Sequence, residues 1–133
     1  MGRNLDECAS YCVPLFQELI DKANISGLDV IIQDTGRTPD EQKAKLAIGV
    51  SWTIRSKHLP QPPEGKSEAI DLVPRALMIL KNWAPGDERW KRLGAIGEAL
   101  GLRWGGRWVH LNGGYGDPGH FEYIHPGFGL ETT

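Results

Sequence analysis

Apolar residues at Val13, Phe16, Leu19, Ile20 and Ala23 recur at the spacing of one helical face and predict a helix over 13–23. Pro14 suits its first turn, where the missing N–H leaves no bond unmade, and Gly27 marks the stop. The stretch LDVIIQDTG, ending at Gly36, then reads as a strand, and AIDLVP (Ala69 to Pro74) as a short strand closed by proline. Between them, TPDEQKAKLAIG opens with Thr38 and Glu41 at capping-box spacing and Pro39 at the first helical position, predicting a helix to about Ile48. GDERWKRLGAIGEALG predicts another helix, with Asp87 and Glu88 in its first turn and Gly101 after its end. LRWGGRWVHL and HFEYI read as two further strands around a Gly-rich connection. Helices come first and most strands later, so the expected class is α+β, a small antiparallel sheet with helices packed on one side.

Composition narrows the field. The 133 residues suit a single domain over 1–133, with 40% hydrophobic and 24% charged residues and no repeat or low-complexity segment. Acidic and basic residues interleave around a net charge of −2, which leaves no electrostatic footprint for nucleic acid. No apolar run approaches the ~20 residues that span a bilayer, so no membrane insertion is expected. The opening MGRNLDECASYC lacks the charged and apolar regions of a signal peptide, which points to synthesis and folding in the cytoplasm. Cys8 and Cys12 stand four apart with no second Cys/His pair of matching spacing, and read as small buried thiols.

The chemistry gathers in GYGDPGHFEY (Gly114 to Tyr123). Pro118 and Gly119 are the central residues a type II turn asks for, and such a turn keeps Asp117 and His120 within about 7 Å. Alternation after the turn puts His120, Glu122 and Ile124 on one face and Phe121 and Tyr123 on the other. SKH (Ser56 to His58) and AID (Ala69 to Asp71) supply a second His and Asp, with Ile70 and Leu72 pointing away from Asp71 into the core. His58, Asp71 and His120 form a two-His, one-carboxylate set that suits one zinc ion with a position left for water. Asp117 is the candidate general base. Glu122 is its rival, but orienting the His120 imidazole is the preferred role. His110 and His125 read as structural or surface residues, and Trp104 and Trp108 as candidates to line a cleft. The Pro-rich LPQPPEGKS (Leu59 to Ser67) reads as an exposed loop that interrupts the constellation.

SKH…EAID resembles the Ser-x-His…Ala-x-Asp motif of the zinc D-alanyl-D-alanine carboxypeptidase and L-alanyl-D-glutamate endopeptidase family. DPGHFEY resembles its second motif, TGRTPDEQ its Tyr-Arg-Ser…Gln segment, and LGLRWGGRW the Gly-Leu-x-Trp-Gly-Gly stretch before the second motif, all in the family's order. The resemblance implies zinc bound by His58, Asp71 and His120 on the open face of the sheet, with Asp117 taking a proton from the attacking water. It makes Arg37 the stabiliser of the oxyanion, unless Arg37 serves as an ion-pair partner of Asp34 or Asp40; Gln42 would support the site and Ser56 would contact substrate. The implied function is cleavage of the L-alanyl-D-glutamate bond in bacterial peptidoglycan by a monomeric lysis enzyme that waits in the host cytoplasm. A D-alanyl-D-alanine carboxypeptidase or dipeptidase is the alternative, as is a non-catalytic zinc or peptidoglycan-binding domain. This chain departs from the pattern in having twelve residues between His58 and Asp71, in Ser67 where Gly is common, and in Thr35-Gly36 before the arginine.

Overall fold

The computed structural model describes residues 3–38, 40, 41, 43, 44, 56–108 and 116–125. The apolar stripe of the first segment forms α1 (Val13–Ile25), which buries Phe16, Leu19 and Ala23 and runs two residues past the predicted end. Gly27 then takes φ 88°, a left-handed conformation that lets the chain leave the helix axis. β1 (Val30–Asp34) follows. Thr38 and Glu41 close the capping box reciprocally: Thr38 N donates to Glu41 Oε1 at 2.9 Å and Glu41 N to Thr38 Oγ1 at 3.1 Å. The predicted helix beyond Ala44 lies outside the described residues.

β2 (Ala69–Pro74) forms as expected, but a helix that the periodicity does not announce, α2 (Arg75–Leu80), starts directly behind it. Pro74 closes the strand and caps the helix, and six residues are too few to display a helical period. α3 (Glu88–Ala99) is capped by Asp87, whose side chain accepts from Arg89 N at 2.9 Å. The next strand is far shorter than LRWGGRWVHL predicts. β3 covers only Arg103–Trp104, because Gly105–Arg107 winds into a 3-10 turn. β4 is His120–Glu122, and Tyr123 N still reaches Glu68 O at 2.9 Å. Among the described residues no helix is long and apolar enough to cross a membrane.

The four strands form one antiparallel sheet in the order β1-β2-β4-β3. Its core face meets Phe16 and Leu19 of α1 and Trp90 and Leu93 of α3 through Ile70, Leu72 and Phe121. Burying each such side chain contributes roughly 1.5–3 kcal/mol. Cys8 and Cys12 are free thiols in this core, and burial pushes the Cys8 thiol up to about 12. The other face collects polar groups. Ile32 pairs with Leu72, and a bulge then sets Asp34, instead of Gln33, opposite Asp71.

The DPGH turn differs in type from the expectation. His120 N bonds Asp117 O at 3.2 Å, so the bend is there, but Gly119 does not take the positive φ of a type II turn. The glycine answers a close approach instead, since a Cβ at this position would stand 2.5 Å from Leu72 O.

Candidate metal centre

Asp71 of β2 pairs in register with His120 of β4, so both side chains leave the same face of the sheet. His58 arrives from a turn in which its own N–H donates to Ser56 Oγ at 3.1 Å and Leu59 N donates to Ser56 O at 3.0 Å. Arg37 N donates to His58 O at 2.9 Å and ties that turn to the segment after β1. One ligand atom from each of His58, Asp71 and His120 lies within 4.8 Å of the others; the two histidines are buried and Asp71 is half-buried. Asp71 Oδ1 is 3.1 Å from His58 Nε2 and 3.0 Å from His120 Nδ1.

The outward nitrogens decide what this cluster can hold. His58 Nδ1 meets the Thr35 carbonyl, which only accepts, so the proton sits on Nδ1 and the Nε2 lone pair faces Asp71. His120 Nε2 lies 2.8 Å from Glu122 Oε1, so neutral His120 donates there and turns its Nδ1 lone pair inward. Lone pairs of two imidazoles and a carboxylate then converge, an arrangement that a cation satisfies. Around them stand the carboxylates of Asp34, Asp71, Asp117 and Glu122 against the guanidiniums of Arg37 and Arg103. This donor set and its negative balance fit a divalent ion. Without one, a proton serves: burial disfavours the His120 imidazolium, but hydrogen bonds to Asp71 and Glu122 prevail and push its pKa up to about 10. Burial likewise opposes ionisation of Asp71, yet the two histidines hold its carboxyl well below the usual range.

Asp117 N donates to Gly105 O at 2.8 Å, which anchors the turn, while its carboxylate makes no hydrogen bond or ion pair among the described residues. Burial first, and the charge of Asp71 second, push that carboxyl up to about 6. A group tuned this way can take and return a proton near neutrality. Arg37 Nε donates to Asp34 Oδ2 at 2.6 Å, and its Nη2 is 3.5 Å from Asp71 Oδ2. The ion pair with Asp34 therefore exists, and it holds Arg37 beside the cluster. Ser56 is buried with its hydroxyl turned back to His58 N. Gln42 lies outside the described residues, as does His110.

Further neighbours complete the surroundings of the three ligands. Glu7 Oε1 accepts from Thr35 Oγ1 at 2.6 Å and from Gly36 N at 3.1 Å, and Ser67 Oγ lies 3.0 Å from Thr35 O. These contacts fix the carbonyl that orients His58, across separations of 28 and 32 residues. The Trp108 ring packs 4.8 Å from that of His120. Glu68 is fully buried, with Tyr11 Oη against it, His125 Nε2 at 2.7 Å and Lys57 Nζ at 3.7 Å. Its strand phase with Ile70 and Leu72 was the available clue that it faces the core. His125 is thereby structural.

A polar, cation-ready cluster on an α+β sheet is what a metallopeptidase uses. Residues 51–123 match the family model described as D-alanyl-D-alanine carboxypeptidase, more than half of the chain, and the chain belongs to that peptidase family. The L-alanyl-D-glutamate peptidase of Listeria phage A118 is 29% identical over 129 residues, covering 97% of this chain and 42% of the phage protein. The chain thus spans less than half the length of that relative. The crystal structure of the Serratia marcescens L-Ala D-Glu endopeptidase ChiX superposes with a TM-score of 0.63 at 18% identity, over 91% of this chain and 84% of the other, which establishes the shared fold.

Proposed function

We propose that this chain hydrolyses bacterial peptidoglycan at the bond between L-alanine and D-glutamate, with one zinc ion held by His58, Asp71 and His120. The observation that carries the reading is the convergence of three lone pairs beside Asp117, a carboxylate with no other polar contact among the described residues. The phage relative supports the choice of bond. Bound there, zinc would supply Lewis acidity toward the scissile carbonyl and acidify water. Asp117 takes the proton of the attacking water and returns it to the leaving amine. Arg37 stabilises the oxyanion of the tetrahedral intermediate, while Glu122 and the Thr35 carbonyl hold the two imidazoles in their tautomers. Ser56 sets the turn that presents His58, and Gln42 supports the site. The phage origin of the relative suits a role in lysis of the host wall.

Release of new amino termini from purified peptidoglycan, with chelator and after zinc is restored, tests this. New alanine carboxyl and glutamate amine ends that vanish with chelator and return with zinc are the expected result. The family description favours one second reading, a D,D-carboxypeptidase. Release of free D-alanine alone would replace the first reading with it.

A further inference from the structure

A cleft of about 330 Å³ opens from His58 and Arg37 and is walled on its far side by Pro60, Gly65, Lys66 and Ser67. That wall is the segment that lengthens the interval between His58 and Asp71. It is a built hairpin. Gln61 N donates to Lys66 O at 3.0 Å and Gly65 N to Gln61 O at 2.8 Å, while Gln61 Nε2 reaches back to Ser56 O and Leu59 O. Glu64 turns away from the cleft to take Ser10 N at 2.8 Å, and Ser67 N donates to Glu7 O at 3.0 Å. The hairpin is therefore anchored to the N-terminal segment on one side and to the His58 turn on the other.

The charges lining the cleft are committed, with one exception. Glu7 holds Thr35 and Gly36, Glu41 closes its capping box, and Arg37 is engaged by Asp34 and Asp71. Lys66 is exposed on the cleft wall, and its ammonium makes no hydrogen bond or ion pair among the described residues. A preorganised wall with one uncommitted cation, next to the reacting centre, selects an anionic group on the substrate.

We infer that this hairpin forms a carboxylate subsite, with Lys66 as the contact for the free carboxylate of the acidic residue following the scissile bond; the inference rests on the endopeptidase reading above. D-glutamate has two carboxyl groups and only one continues the peptide, so one stays available close to the cleaved amide. Lys66 is a specificity-determining residue for that group.

The test uses the zinc-loaded protein and two synthetic tripeptides, L-alanyl-D-glutamyl-L-lysine linked through the glutamate side chain and the same peptide with its free carboxylate converted to the carboxamide. The wild type should favour the carboxylate form by about tenfold in KM, the scale of a charge-assisted hydrogen bond. Lys66→Met should erase that preference with kcat little changed, and Lys66→Arg should restore it. Equal KM for both peptides in the wild type, or an undiminished preference in Lys66→Met, would overturn the assignment. Calorimetry with the uncleavable product D-glutamyl-L-lysine and its carboxamide separates the two readings. If neither tripeptide is cleaved but the product carboxylate binds about tenfold tighter in a Lys66-dependent way, the subsite stands and the bond assignment falls.

Discussion

Single side chains divide the labour of the site by what surrounds them. Asp117 and Asp71 are both carboxylates on one face, yet Asp117 is pushed up to about 6 while Asp71 is held low by two imidazoles. The group that can carry a proton is thus the one without a polar partner among the described residues. Replacing it should separate chemistry from metal binding. Asp117→Asn is expected to lower kcat by roughly 10²–10⁴-fold, the span of general acid–base catalysis, while elemental analysis finds its metal content unchanged. The thiols make an independent pH prediction. Burial raises both Cys8 and Cys12, so the native state keeps their protons at pH values where the unfolded chain, near the ordinary 8.5, has begun to lose them. Stability from the protonated thiols is complete below about 8.5 and falls as pH rises above it, by up to about 1.4 kcal/mol per unit for each thiol. Denaturant melts between pH 7 and 10 should show this fall, and alkylation should require unfolding.

At the scale of elements, local irregularities do the positioning. The bulge in β1 moves Asp34 opposite Asp71, and Arg37 then spans both carboxylates. Regular alternation would have set Gln33 there. The Pro118-Gly119 bend packs so closely on β2 that Leu72 N takes Gly119 O at 2.8 Å. Any side chain at Gly119 would collide with Leu72 O. Gly119→Ala should therefore cost about 1–3 kcal/mol, as overpacking does, and lower the melting temperature measured by circular dichroism. The effect comes from proximity and not from φ, which is not positive at Gly119. Propensity and capping, in contrast, were legible from the chain alone: the stripe of α1 and the box of Thr38 and Glu41 form where the pattern puts them, while Asp87, expected in the first turn of α3, stands one residue earlier as its cap.

Across the whole molecule, the site is assembled from parts that are distant in sequence and adjacent only after folding. The N-terminal turn holds Thr35 through Glu7, the inserted hairpin leans on Ser10 and Glu7, and the sheet brings Asp71 to His120. A divalent ion at their meeting point would join β2, β4 and the His58 turn, and so stabilise the native state alone. Zinc at about a thousandfold excess over its dissociation constant should add about 4 kcal/mol, seen as a melting temperature raised by on the order of 10 °C and reversed by chelator. No change on chelation would sink the metal reading. The residue types themselves carried the candidate chemistry, because histidine and carboxylate ligands keep their donor atoms in any context and turn residues mark where they stand. The amino-acid order also determined the α+β class, since helical period and strand alternation are local properties. What only the tertiary structure decided were Thr35 as the partner that sets the His58 tautomer, the Glu7 and Ser67 contacts behind Thr35, and the shortening of β3. Those depend on register, bulge and close packing between distant segments, and a hydrogen bond across some thirty residues leaves no period in the chain that makes it.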